Sequence, residues 1–346
     1  MASSITSRTE PAVVPGVPPL TKTRKLNRRL KLAVLVVVSS CLQMVLRQNA
    51  SGFLGNELGR ITRGEKRDWE VFAHLGYQIG LLVYGWYLSY DGKYGWAGSV
   101  FFVELVRANG CVVVVIDISA LTLLANAPYT YLIVTYYGVS TLTASLSLGI
   151  QIISIALPTY LLRPFAEYHS AAAKLPNRFL LDSFQVQSST AILAIVSYVV
   201  ALYTALKFDL TAFLVYHFDR IPSLEAAHAE TAITLAAKTL LVGWAAQGFL
   251  LNSALGQSGA ATPKKDFDPA TASLQETIRH NVWFFSNRTR ELIKRTAVVA
   301  GLTFVHTIWK LQTIDGTDLK GSAGYAGIWV AATAFIGLVF SWVSDA

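Results

Sequence analysis

WAGSVFFVELVRANGCVVVVIDISALTLLA, residues 96–125, is long enough to cross a bilayer as a helix and yet carries Glu104, Arg107 and Asp117. Most of the chain's other long apolar runs carry fewer charges or none. An ionisable side chain at the centre of a membrane helix costs about 2.5–3.5 kcal/mol on insertion scales. Its presence therefore marks either a functional group or a buried polar contact that pins one helix to its neighbours.

The surroundings of that stretch are equally apolar. Of 346 residues 53% are apolar and 14% charged, against about 25% charged in an ordinary soluble domain. The apolar residues fall in runs of about 18 or more, the length that a spanning helix needs. We therefore expect an all-α fold, a polytopic transmembrane helical bundle of about eight spans. A transmembrane barrel would show short alternating segments instead. The net charge of +8 comes from residues in the tail and in the loops between apolar runs, which fits topology determinants rather than a nucleic-acid face.

Cys41 and Cys111 are the two cysteines, and both lie in apolar runs, so neither a disulfide framework nor a zinc site of the usual spacing is expected. The six histidines show no ligand spacing, and the nucleotide, dinucleotide and nucleophile-elbow motifs are absent. No paired-aspartate D-D-x-x-D motif occurs either. The expectation is a protein without metal or other cofactor.

Residues 1–31 are polar, proline-containing and basic, and read as a disordered tail. Residues 32–343 read as the bundle, with spans at 32–46, 71–90, 96–125, 131–157, 186–206, 229–251, 296–314 and 323–343. Asn126-Ala127-Pro128 reads as the break after span three, and Gly76 and Gly80 as a small-xxx-small contact in span two. The loop 252–295 is the longest, and the stripe Leu274, Ile278, Val282, Phe285 predicts an interfacial amphipathic helix on its cytosolic side. The tail and the even-numbered connections hold 18 Lys and Arg against 8 in the odd-numbered ones. That bias puts both termini in the cytosol. The sequon at Asn49 then falls on the lumenal side and the one at Asn287 on the cytosolic side.

Glu104 and Arg107, three residues apart, can pair on one helix face. Asp117 lies about 20 Å further along the axis, on another face, in VVVVIDISAL with no basic residue within a turn. A carboxyl group desolvated without a cation is a competent proton donor; the alternative is a hydrogen bond to a Ser or Thr of span four. Lys238 is a lone cation in span six that could face an acidic partner. Tyr136, Tyr137, Tyr198 and Trp244 read as deep aromatics that could line a substrate pocket and steady a cation.

ALPTYLLRP at 156–164, FDPATA at 267–272 and GYAGIW at 324–329 are similar to stretches of uncharacterised ascomycete multi-pass membrane proteins. In size, span number and acid-in-membrane character the chain also resembles the fungal integral membrane terpene cyclases of meroterpenoid pathways. The resemblance implies an isomerase-type enzyme of secondary metabolism, in the endoplasmic reticulum membrane. It would protonate an epoxide or olefin on a prenylated, farnesyl-type substrate, with Asp117 as acid and Glu104 and Arg107 in support. Two other classes stay open: a small-molecule or ion transporter with these charges along a polar path, and a non-catalytic membrane scaffold.

Overall fold

The computed structural model describes residues 28–64, 68–88, 112–162, 178–208, 210–255 and 286–345, with the isolated positions 273, 274 and 277. Glu104 and Arg107, the tail up to residue 27 and nearly all of the interfacial stripe lie outside the described residues.

The described elements are α1 (Arg28–Ile61), α2 (Asp68–Leu88), α3 (Val112–Thr135), α4 (Thr141–Leu162), α5 (Arg178–Asp182), α6 (Phe184–Lys207), α7 (Leu210–His217), α8 (Glu225–His228) and α9 (Ala232–Ala246). A π-helical turn, Gln247–Leu251, then leads into α10 (Asn252–Leu255), followed by α11 (Asn287–Leu311) and α12 (Leu319–Asp345). The architecture is all-α; among the described residues the only extended pairings are two isolated bridges.

Six helices are long and apolar enough to cross a membrane: Leu30–Ile61, Val115–Thr135, Thr141–Leu161, Phe184–Lys207, Ala232–Leu255 and Leu319–Val343. Their outward faces carry large apolar side chains such as Met44, Leu142, Leu161, Leu241, Leu338 and Trp342. So much exposed hydrocarbon is out of place in water and suits a bilayer, so the chain is a multi-pass membrane bundle. α11 falls outside the six because Arg288, Arg290, Glu291, Lys294 and Arg295 crowd its first turns.

α3 is the centre. Its apolar window is 72% buried, against 17% for that of α1, and it packs on α2, α4, α9 and α11. The sequence reading broke the chain at Asn126-Ala127-Pro128; instead α3 runs through Pro128 to Thr135. A proline removes one backbone donor, which a membrane helix tolerates when neighbours re-satisfy the local carbonyls. Here Asn126 donates to the Thr122 carbonyl at 2.8 Å and Tyr325, on α12, donates its hydroxyl to the Pro128 carbonyl at 2.8 Å. The actual turn comes at Gly138, whose φ of 66° suits a residue without Cβ, and Ser140 then caps α4 by accepting from the Thr143 amide.

Span one is likewise longer than its apolar run, since α1 continues past Leu46 to Ile61 and carries Arg47 inside the helix. The small-residue contact also sits elsewhere. Among the described residues nothing comes within 4 Å of a Cβ on Gly76 or Gly80, whereas a Cβ on Gly243 would lie 2.4 Å from Ile195. Close approach therefore occurs at the crossing of α6 and α9.

One end of the bundle is stitched by backbone bonds. Arg63 donates to the Thr313 carbonyl at 3.0 Å and Asp315 to the Ile61 carbonyl at 3.0 Å. Asp219 donates to the Gly316 carbonyl at 2.8 Å, and Arg220 pairs with Asp315. The α1–α2, α7–α8 and α11–α12 connections thus meet on one face.

Candidate functional site

Asp117 occupies the second turn of α3 and is 3% exposed. Its Oδ2 receives Nη1 of Arg295 at 3.2 Å, and the Arg295 side chain is as deeply buried. The same Nη1 donates to the Phe249 carbonyl at 3.0 Å, Nε donates to Glu291 at 3.0 Å, and the guanidinium lies 4.8 Å from the centre of the Phe249 ring.

The π turn makes this arrangement possible. An i→i+5 segment shifts the carbonyl register of its helix, and the Phe249 carbonyl, at the centre of the turn, takes both Arg295 and the Ser253 hydroxyl, the latter at 3.1 Å. Beside it Gln247 donates to Asn252 Oδ1 at 2.9 Å. α3, the π turn and α11 are thereby joined through one buried polar layer.

The reading of Asp117 as an acid without a cation is corrected. The cation comes from 178 residues downstream, beyond the reach of any local spacing argument. A carboxylate paired in this way accepts hydrogen bonds and anchors helices.

A different set of residues surrounds open space. A cavity of about 240 Å³ lies where α4 and α9 both pack on α3, with Trp329 of α12 at its floor. Leu123, Val134, Leu148 and Val242 supply apolar walls. Tyr131 and Trp329 present rings 5.9 Å apart at 61°, an edge-on pair. Leu241 on the rim is 63% exposed, so the cavity opens on the outer flank of the bundle.

Lys238 is the charged residue of the lining. It pairs with Glu230, donates to Thr135 Oγ1 at 3.0 Å and sits 5.5 Å from the Tyr131 ring centre. Glu230 in turn accepts from Thr234 at 2.7 Å, inside the capping box that starts α9. Glu230 precedes the Thr231 N-cap of α9, in non-helical backbone, so the pair closes across the start of the helix and not by helical spacing.

Tyr136, Tyr137, Tyr198 and Trp244, expected as pocket aromatics, are not among the residues that line this cavity. Tyr136 and Tyr137 form the α3–α4 turn and are buried there; Tyr198 on α6 backs Trp329 at 6.0 Å without lining the cavity; Trp244 points outward and is 48% exposed. Helical spacing gives the face of a residue only relative to its own helix. Trp244 is one helical step from the buried Gly243 contact, yet about 100° away around the axis.

The sequence reading missed Tyr131, Trp329, Arg295 and Glu230. The one available signal was Lys238, whose acidic partner is eight residues earlier in the chain, just before the N-cap of α9. Among the described residues no group of three metal-ligating side chains comes together. No protein-family model, no curated protein and no solved structure matches the chain.

Proposed function

We propose that this chain takes an apolar, prenylated small molecule from the bilayer into the cavity between α3, α4, α9 and α12. In the enzymatic form of this reading, a farnesyl-type chain is cyclised there after protonation of an epoxide or olefin, as a step of secondary metabolism. The observation that carries the binding half is the composition of the cavity: hydrocarbon walls, two ring faces and one cation already neutralised by its own carboxylate. Such a space favours an apolar chain, and ring faces can steady a developing carbocation. The cyclising half is supported by the resemblance. The resemblance assigns the acid to Asp117; that carboxylate is paired with Arg295 and does not line the cavity, so in this reading it anchors α3 to α11 and the proton comes from another donor.

The test uses the full chain in lipid nanodiscs with a photoactivatable farnesyl ether, and mass spectrometry of the labelled peptides. We expect crosslinks in α3, α4 and α9 that excess unlabelled farnesol competes away. Crosslinks scattered over the lipid-facing surface, without competition, would remove the reading. Microsomes given an epoxyfarnesylated aromatic substrate then test for a cyclised product. A transporter predicts instead that cysteines placed on both flanks of Lys238 react with polar thiol reagents from both sides of the membrane.

The reading includes eight passes with both termini in the cytosol, at the endoplasmic reticulum. α2 and α11 complete the count beside the six apolar helices. Asn49 lies within α1, where its amide donates to the Val45 carbonyl at 2.9 Å, so it should stay unmodified, as should Asn287 on the cytosolic side. Asp315→Asn converts Asp315-Gly316-Thr317, at the stitched end, into a sequon and should add one glycan removable by endoglycosidase. A glycan at Asn287 would reverse the orientation.

A further inference from the structure

On the other side of α3 from that cavity, four helices bring two cations together with ring nitrogens, and among the described residues no carboxylate is in ion-pair distance of either cation. Lys310 in the last turn of α11 lies 5.5 Å from the Tyr129 ring centre and 5.1 Å from the Trp309 ring centre. His74 of α2 lies 5.4 Å from the Trp309 ring centre, and Arg47, inside α1, is close enough to Tyr129, Lys310 and His74 to act on each electrostatically. His306 is 1% exposed, stacks on Tyr77 at 3.9 Å and meets Trp309 edge-on at 5.4 Å.

His306 Nε2 donates to Asn126 Oδ1 at 2.9 Å, a direction fixed because the Asn126 amide nitrogen is already spent on the Thr122 carbonyl. The second ring nitrogen, Nδ1, and Trp309 Nε1 are buried with no hydrogen-bond partner among the described residues. Neither Arg47 nor Lys310 has a carboxylate within ion-pair distance among the described residues. The other cations placed among the helices behave differently: Lys238 and Arg295 each bind an acid.

Two unneutralised cations beside the buried Trp309 Nε1 donor are expensive in a membrane unless something anionic arrives. We propose that Arg47, His306, Trp309 and Lys310 form a binding site for a phosphate- or carboxylate-type anion. Lys310 and Arg47 supply charge, and Trp309 Nε1 supplies a fixed donor. His306 Nδ1, the acceptor nitrogen while Nε2 donates to Asn126, can take a hydrogen bond from a protonated oxygen of the anion. The Tyr77, Tyr129 and Trp309 rings wall the site, which suits an anionic head carried by an apolar tail. This site is independent of the ligand in the α3–α4–α9 cavity.

The full chain purified in detergent is titrated with phosphatidic acid, with diacylglycerol of the same chains and with inorganic phosphate, and thermal unfolding is followed. Phosphatidic acid should raise the midpoint by about 2–4 °C or more and diacylglycerol should not. A rise with inorganic phosphate alone supports the anion site and identifies a soluble anion as its source. Lys310→Met should weaken the apparent affinity about tenfold or more while leaving the unliganded midpoint unchanged or higher, because it removes an uncompensated cation. Arg47→Gln is the second variant, read the same way. Equal shifts from phosphatidic acid and diacylglycerol, or a Lys310→Met protein that responds to the anion as the parent does, would overturn the proposal.

Discussion

Asp117→Leu is expected to destabilise the bundle by about 3–5 kcal/mol, and Arg295→Met by a similar amount, because either change removes one half of a buried ion pair. Arg295 would keep the Phe249 carbonyl and Glu291, but Glu291 is 24% exposed and compensates a buried guanidinium only in part. The double variant Asp117→Leu/Arg295→Met should recover most of the loss, since a paired set of apolar side chains of similar volume removes both desolvation penalties together.

Unfolding midpoints of the three variants and the parent in one detergent give the cycle. Additive losses, with no recovery in the double variant, would falsify the anchor. The same double variant separates two roles of Asp117. A folded protein that still cyclises its substrate leaves Asp117 as an anchor of α3 to α11, whereas a folded protein that binds but does not turn over makes it the acid. We expect the first outcome, because Asp117 does not line the cavity and both of its neighbours, Arg295 and the π turn, are committed to holding it.

How legible these features were depended on how local their causes are. Apolar run length is local, so the helical bundle and most of its spans could be read directly: span five, at 186–206, corresponds to α6, Phe184–Lys207, with its Ser183 cap. Helix ends were less legible. Pro128 and Arg47 look like interruptions because each costs something in an isolated helix, but Tyr325 of α12 offsets the first and α1 runs unbroken through the second.

The partner of Asp117 was illegible for a stronger reason. A pairing over 178 residues depends on which helices become neighbours and on a π turn that re-aims one carbonyl; neither leaves a spacing signature. The aromatic set failed similarly, since Trp244 and Trp329 have comparable local settings and only the packing decides which one faces inward.

Trp329→Ala is expected to have the second large effect, and it distinguishes a cavity wall from ordinary packing. Trp329 is 2% exposed and touches Tyr131 and Tyr198, at 5.9 and 6.0 Å between ring centres. Truncating a buried aromatic of this size costs about 3–5 kcal/mol. Trp244→Ala, at an exposed position on the same bundle, should change stability by only about 0.5 kcal/mol or less.

Stability alone would fit any core tryptophan, so the ligand decides. If Trp329 is the floor of a prenyl-binding cavity, its removal deepens that cavity. The folded fraction at low temperature should then retain photolabelling while shifting preference from farnesyl toward the longer geranylgeranyl chain. Trp329→Phe should keep the farnesyl preference, because a ring face remains opposite Tyr131. A Trp329→Ala protein that folds, labels as the parent does and shows no change in chain-length preference would mean that the ligand does not reach the floor, and the cavity would then be a packing defect of the α3–α4–α9 junction.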